Sequence, residues 1–188
     1  PALVPELCAF ADKLEMKFDK PITAIVGPNG CGKSNVSDAI RWVLGEQSAR
    51  VLRGKSMQDL IFSGTERRKS MSYCEASLIF DNTNRIFPIE MDEVVISRKL
   101  YRSGESEYLL NRQSSRLKDI SDLLRDAGLG REGYSIVGQG RMDAILNAKP
   151  DDRRAIFEEA LGISKFRVRK VETERKLEKN KDNMSRLY

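Results

Sequence analysis

The spacing of apolar and polar residues changes period several times along the chain, and each change marks an element. Leu14-Glu15-Met16-Lys17-Phe18 alternates apolar and polar, as a half-exposed strand does. Ile22-Thr23-Ala24-Ile25-Val26 is a short, continuously apolar, β-branched run, which predicts a parallel strand buried on both faces. The period then becomes helical: Val36, Ala39, Ile40, Val43 and Leu44 recur at i, i+3, i+4, i+7 and i+8, one apolar helix face, and Gly45 is placed to end it. Residues 46–57 are polar and basic, with Arg50, Arg53, Gly54 and Lys55, and read as a loop. Residues 73–80 and 94–101 are β-rich, and Ser103-Gly104-Glu105 suits a hairpin turn into Tyr108-Leu109-Leu110, so the middle of the chain reads as antiparallel β. Leu117, Ile120, Leu124 and Ala127 mark a helix ended by Gly128. A glycine-rich stretch from 130 to 140 contains Gln139. Pro150 followed by two acids opens a helix to 161. Beyond Gly162 a charged helix runs to the end. Pro1 and Pro5 argue against a helix or a central strand at the start.

Between the apolar run and the first helix lies Gly27-Pro28-Asn29-Gly30-Cys31-Gly32-Lys33-Ser34, which matches G-x-x-x-x-G-K-[ST]. Glycines let the backbone curl so that N–H groups point inward at phosphate oxygens. Lys33 supplies a point charge for the β- and γ-phosphates, and the Ser34 hydroxyl suits Mg²⁺. Strand, glycine loop and helix follow in the order this chemistry needs, and the helix N-terminus adds its dipole to the anion site.

Composition narrows the chemistry. The chain has 188 residues, 40% hydrophobic, enough for one cored domain with or without an appendage. No apolar run approaches the ~20 residues of a membrane span, and no signal-peptide pattern opens the chain. Cys8, Cys31 and Cys74 form no metal spacing, and their odd number predicts a reducing, cytoplasmic setting. There is no histidine, which removes Ser-His-Asp and Cys-His catalysis. Chemistry must therefore come from positioned phosphates and a metal. Between 165 and 186 stand nine Lys and Arg against four acids, which accounts for the whole net charge of +5. The remainder is near neutral, so a bulk nucleic-acid-binding charge is not evident.

A second nucleotide motif is harder to find. Leu78-Ile79-Phe80-Asp81 has the form of a Walker B strand, but Asn82 follows it and it lies within the alternating β-segment. It reads as a sheet strand ending in a turn. No Leu-Ser-Gly-Gly signature occurs, so the loop lacks the groups that would complete a hydrolytic site.

These residues in combination resemble the bacterial SMC (structural maintenance of chromosomes) ATPases. The phosphate loop is followed by Asp38-Ala39-Ile40-Arg41-Trp42-Val43-Leu44-Gly45-Glu46-Gln47-Ser48, then Leu52-Arg53-Gly54 and Asp59-Leu60-Ile61-Phe62. Tyr101-Arg102-Ser103-Gly104-Glu105-Ser106-Glu107, Gly138-Gln139-Gly140 and Asp152-Arg153-Arg154-Ala155-Ile156-Phe157-Glu158-Glu159-Ala160 continue the match. In that family the two ends of a long chain fold into one ABC-type ATPase head, separated by an antiparallel coiled coil. The resemblance implies an α/β fold: a P-loop ABC-type half-head with an antiparallel β-subdomain and a protruding coiled-coil helix. Residues 10–162 would be the N-terminal lobe and 163–188 the start of the coiled-coil neck. The family usually opens with a strand leading into Gly-Phe-Lys-Ser-Phe, where this chain has Glu6-Leu7-Cys8-Ala9-Phe10. Residues 1–9 are therefore set apart as an atypical N-terminal segment.

Carried over, the resemblance implies that Pro28, Asn29, Gly30, Cys31, Gly32, Lys33, Ser34 and Asn35 cradle ATP. It has Ser34 and the Q-loop residue Gln139 hold Mg²⁺, and Arg53 stand as an arginine finger. Lys33, Arg53 and Gln139 would then carry catalysis. For the charges of residues 46–57 the bland reading is a solvated loop. The implied function is ATP-driven head engagement and hydrolysis for chromosome condensation and partition, in the cytoplasm at the nucleoid. The expected partners are the C-terminal half of the same head, a second SMC chain, a kleisin subunit at the neck, and DNA; no membrane is expected. The fragment alone is expected to be inactive. Two alternatives stay open: a DNA-repair ATPase of the RecF, RecN or Rad50 type, and a non-hydrolysing assembly module. In the last helix, Ile163, Phe166, Lys170, Thr173, Leu177, Asn180, Met184 and Leu187 fall at a and d positions, a coiled-coil seam with a polar middle.

Overall fold

The computed structural model describes residues 2–6, 13–129, 136, 154 and 164–185. Two compact units divide the chain, Pro1–Arg131 and Glu132–Tyr188. The first holds a six-stranded sheet in which each neighbouring pair is antiparallel. Its strands are β1 (Ala2–Glu6), β2 (Met16–Lys17), β3 (Tyr73–Asp81), β4 (Glu93–Tyr101), β5 (Ser106–Leu110) and β6 (Gln113–Ser115), in the order β2-β1-β3-β4-β5-β6.

The sheet's core face follows from period 2. Cys74, Ala76 and Leu78 of β3 are buried, and they stand opposite Leu100, Arg98 and Ile96 of β4, also buried. The alternate face carries Glu75 opposite Lys99, with 3.4 Å between carboxylate and ammonium. Helix α1 (Lys33–Val43) packs against β3 and β4 through Val36, Ala39, Trp42 and Val43. The expected helix face is rotated slightly: Trp42 is fully buried whereas Ile40 is only half-buried. An indole at that edge of the stripe removes more apolar area from water than an isoleucine does. Gly45 (φ 104°) ends α1. Helix α2 (Leu117–Asp126) buries Ile120 and Leu124 and ends at Gly128 (φ 75°), with the Leu129 N–H closing back on the Leu124 carbonyl at 2.7 Å.

Four expectations change. Residues 22–26 are not a strand: no described strand pairs with them, and Ile22 and Val26 are 89% and 87% exposed. A parallel strand buried on both faces needs a ladder on each side, and all of the described pairs are antiparallel. The strand at 14–18 shortens to Met16–Lys17. Pro5 does lie in a strand, β1, which pairs with β3 throughout its length and with β2 only at Ala2 and Leu3. Pro5 is thus beyond the second ladder, where one side of β1 has no partner among the described residues and a missing donor is tolerated. A sixth strand also follows Leu110, across a two-residue turn at Asn111 (φ 48°) and Arg112 (φ 68°), the left-handed pair of a type I′ hairpin.

Asp81 ends β3, exposed, and its carboxylate accepts the Thr83 N–H at 2.9 Å, which holds its pKa below the usual value. It is a turn residue, as the bland reading of that strand has it. In the second unit the described residues centre on α3 (Ser164–Ser185), whose Phe166, Val171, Leu177 and Met184 are exposed. The helix expected at 151–161 lies outside the described residues except for Arg154, which is helical.

Candidate phosphate-binding site

The glycine loop wraps the N-terminus of α1. Gly30 and Gly32 have φ of 84° and 93°, a conformation that side-chain-bearing residues rarely adopt. At Gly27 the obstacle is space: a Cβ there would lie 2.7 Å from the Cys31 Sγ. The curl leaves the N–H groups of Asn29, Gly30, Gly32, Lys33 and Ser34 without an acceptor among the described residues, while Asn35 and Val36 already bond to the Gly32 carbonyl. Unspent donors at a helix N-terminus are what an anion with several oxygens requires. Lys33 turns back over the loop, its Nζ donating to the Gly27 and Pro28 carbonyls at 2.7 Å each. The ammonium is thereby held at the loop's mouth, with the Cys31 Sγ 3.8 Å away. This cradle suits a polyphosphate on geometry and on charge. Ser34, exposed at the second helical position, is the residue there able to offer a metal a hydroxyl.

The structure brings one distant predicted residue to this site. Arg53, 18 positions beyond Asn35, donates from Nη2 to the Asn35 Oδ1 at 2.8 Å and from Nε to the Asp38 Oδ2 at 2.8 Å. Its backbone is left-handed (φ 60°), inside a turn where the Arg53 N–H bonds to the Arg50 carbonyl and the Gly54 N–H to the Ala49 carbonyl. The short 3-10 helix Met57–Leu60 closes that turn through Asp59, which accepts the backbone N–H groups of Lys55 and Ser56. Residues 46–57 are thus a braced loop, and Arg53 is drawn onto α1. Gln139 lies outside the described residues.

Sequence reasoning missed two residues. Asp38 is a buried acid on α1, and Arg98 is a buried base on β4. For Arg98 the signal was a charge standing where the alternation of Val94, Ile96 and Leu100 called for an apolar residue; Asp38 lies off the apolar stripe of the helix, and its burial left no such signal.

The comparisons with known proteins agree with this geometry. The model of the RecF/RecN/SMC N-terminal domain matches residues 4–186. The chain belongs to that family. It is 55% identical over 179 residues to the chromosome partition protein Smc of Clostridium kluyveri, which covers 95% of this chain and 15% of that protein. A chain from a structural study of the ATP-driven dimerization of SMC ATPases superposes with a TM-score of 0.75 at 39% identity, over 85% of this chain and 97% of that one. The Smc head from Pyrococcus furiosus, solved with an extended coiled coil and bound to the C-terminal domain of ScpA, gives 0.81 at 36% identity. That match takes in 98% of this chain and 47% of the other. The fold is accordingly that of an α/β SMC ATPase half-head, and the chain spans about 15% of the length of its curated relatives.

Proposed function

We propose that this chain is the ATP-binding half of an SMC ATPase head, completed by a C-terminal half and by a second head, and that ATP-dependent engagement and hydrolysis serve chromosome condensation and partition at the nucleoid through DNA. The observation that carries this reading is the cradle itself: unspent N–H donors at a helix N-terminus with Lys33 across the mouth. The exposed Ile22 and Val26 support a completing half, because a strand beside them would cover both. In this reading Pro28, Asn29, Gly30, Cys31, Gly32, Lys33 and Asn35 enclose the triphosphate, while Ser34 and Gln139 hold Mg²⁺. Arg53 neutralises charge that develops on the phosphates. Bound Mg²⁺ would supply neutralisation of the phosphate charge. What this chain's own residues do is orient the phosphates and fix a cation beside them. The repair-ATPase alternative is not favoured, because the curated relatives are chromosome partition proteins.

The test is hydrolysis. Clean 1–188 should bind Mg-ATP weakly and release no phosphate, because no described acid is placed to anchor the metal and orient water. Added C-terminal half-head should restore turnover, and Lys33→Ala should abolish it. Steady phosphate release from 1–188 alone, lost in Lys33→Ala, would overturn the division of labour. Nucleotide binding with no turnover even in the completed head would leave the non-hydrolysing module standing.

A further inference from the structure

Asp38 is a carboxylate at a buried position of α1, and a buried carboxylate is tolerated only when paired. Its Oδ2 receives both Nε (2.8 Å) and Nη2 (2.6 Å) of Arg53, and its Oδ1 lies 4.0 Å from the Arg41 Nη1. Asn35, three residues earlier and so on the same helix face, takes the Arg53 Nη2 as well at 2.8 Å. One edge of the guanidinium is therefore clamped on the first two turns of α1. The Arg53 side chain is nevertheless about half exposed, and its Nη1 carries no hydrogen bond among the described residues. A planar fork held at one edge and open at the other is oriented before any ligand arrives, and less freedom remains to be lost when it bonds.

We propose that Asp38 is the positioning residue for Arg53, holding the guanidinium against the start of α1 so that its open edge is presented to a phosphate held by Lys33 and Ser34. The inference rests on the reading of Arg53 given above. Asp38 touches no phosphate in this arrangement and acts through Arg53 alone. Its loss should therefore appear in kcat and not in KM, and should disappear when Arg53 is absent.

A double-mutant cycle in the full-length protein tests this, with turnover, KM and ATP binding measured for Asp38→Asn, Arg53→Ala and both together. Arg53→Ala is expected to lower kcat by about tenfold or more. Asp38→Asn should lower kcat severalfold with KM little changed, and should add nothing to Arg53→Ala. If Asp38→Asn slows both backgrounds equally, raises KM as much as it lowers kcat, or leaves kcat intact beside a slow Arg53→Ala, the inference fails and the Arg53 assignment survives. If Arg53→Ala itself leaves kcat unchanged, both fail. Should Asp38→Asn not fold, Asp38→Ser removes the carboxylate with less bulk, and the same outcomes decide.

Discussion

The Arg98 guanidinium lies over the indole of Trp42, 4.9 Å from the ring centroid, and its Nη1 donates to the Trp42 carbonyl at 2.8 Å. The Tyr108 ring stands 4.7 Å from the same guanidinium, and the Glu46 carbonyl takes Nη1 at 2.6 Å. A single buried cation on β4 therefore satisfies carbonyls at the C-terminal end of α1, where the helix dipole favours positive charge. The other end of α1 carries Lys33 and Ser34, so this contact sets how the phosphate loop sits on the sheet. Burial lowers the Arg98 pKa and raises that of Tyr108.

Arg98→Ala should cost about 3 kcal/mol, since it opens a cavity and leaves the Glu46 carbonyl without its donor, while the Trp42 carbonyl keeps only the Gly45 N–H. Arg98→Lys should recover little, because an ammonium cannot stack between two rings and also reach both carbonyls. Denaturant unfolding of the 188-residue chain, followed by the fluorescence of Trp42, its one tryptophan, measures both. A loss under about 1 kcal/mol for Arg98→Ala would show that the contact is dispensable.

Asp59 links pH to the Arg53 loop. Backbone hydrogen bonds from Ser56, then from Lys55, hold its carboxyl below the usual value, and the Ser56 hydroxyl adds to them. With the folded pKa depressed, the stabilisation is complete above the unfolded value of about 3.9 and is lost as pH falls through the folded one. Wild type and Asp59→Asn should thus differ by a constant margin between pH 8 and 5, and converge in stronger acid. Parallel thermal-melting curves down to pH 2 would rule the link out.

Cys31 should report on nucleotide. It is exposed inside the phosphate loop, whereas Cys74 is buried on the core face of β3. In a chain carrying Cys8→Ser, ATP should slow alkylation of Cys31, and a bulky adduct should block ATP binding. Equal labelling rates with and without ATP, read by mass spectrometry, would remove Cys31 from the cradle.

Helix α3 should need a cover. Every described side chain of α3 is exposed, Leu177 and Met184 among them, and burial rather than propensity holds most helices together. Residues 170–188 of the isolated chain should exchange their amide hydrogens quickly. An N-terminal kleisin segment should protect them, and Leu177→Glu should abolish the protection. Slow exchange in the isolated chain, or kleisin binding that survives Leu177→Glu, would defeat this.

The sequence by itself determined whatever depends on neighbours along the chain. The phosphate loop was legible because Gly30, Gly32, Lys33 and Ser34 act within one turn of backbone. The β3–β4–β5 ribbon and α2 were legible because alternation and a terminal glycine are local signals. Tertiary structure decided the rest. Whether Ile22-Thr23-Ala24-Ile25-Val26 is a strand depends on ladders from elsewhere, and β-propensity alone cannot supply them. Whether Arg53 is a solvated loop charge or is held on α1 depended on Asp38, 15 residues away, which only folding brings into hydrogen-bond range. Arg98 is the limiting case: a cation in an apolar period reads as an error until Trp42 and Glu46, more than 50 residues distant, supply its acceptors.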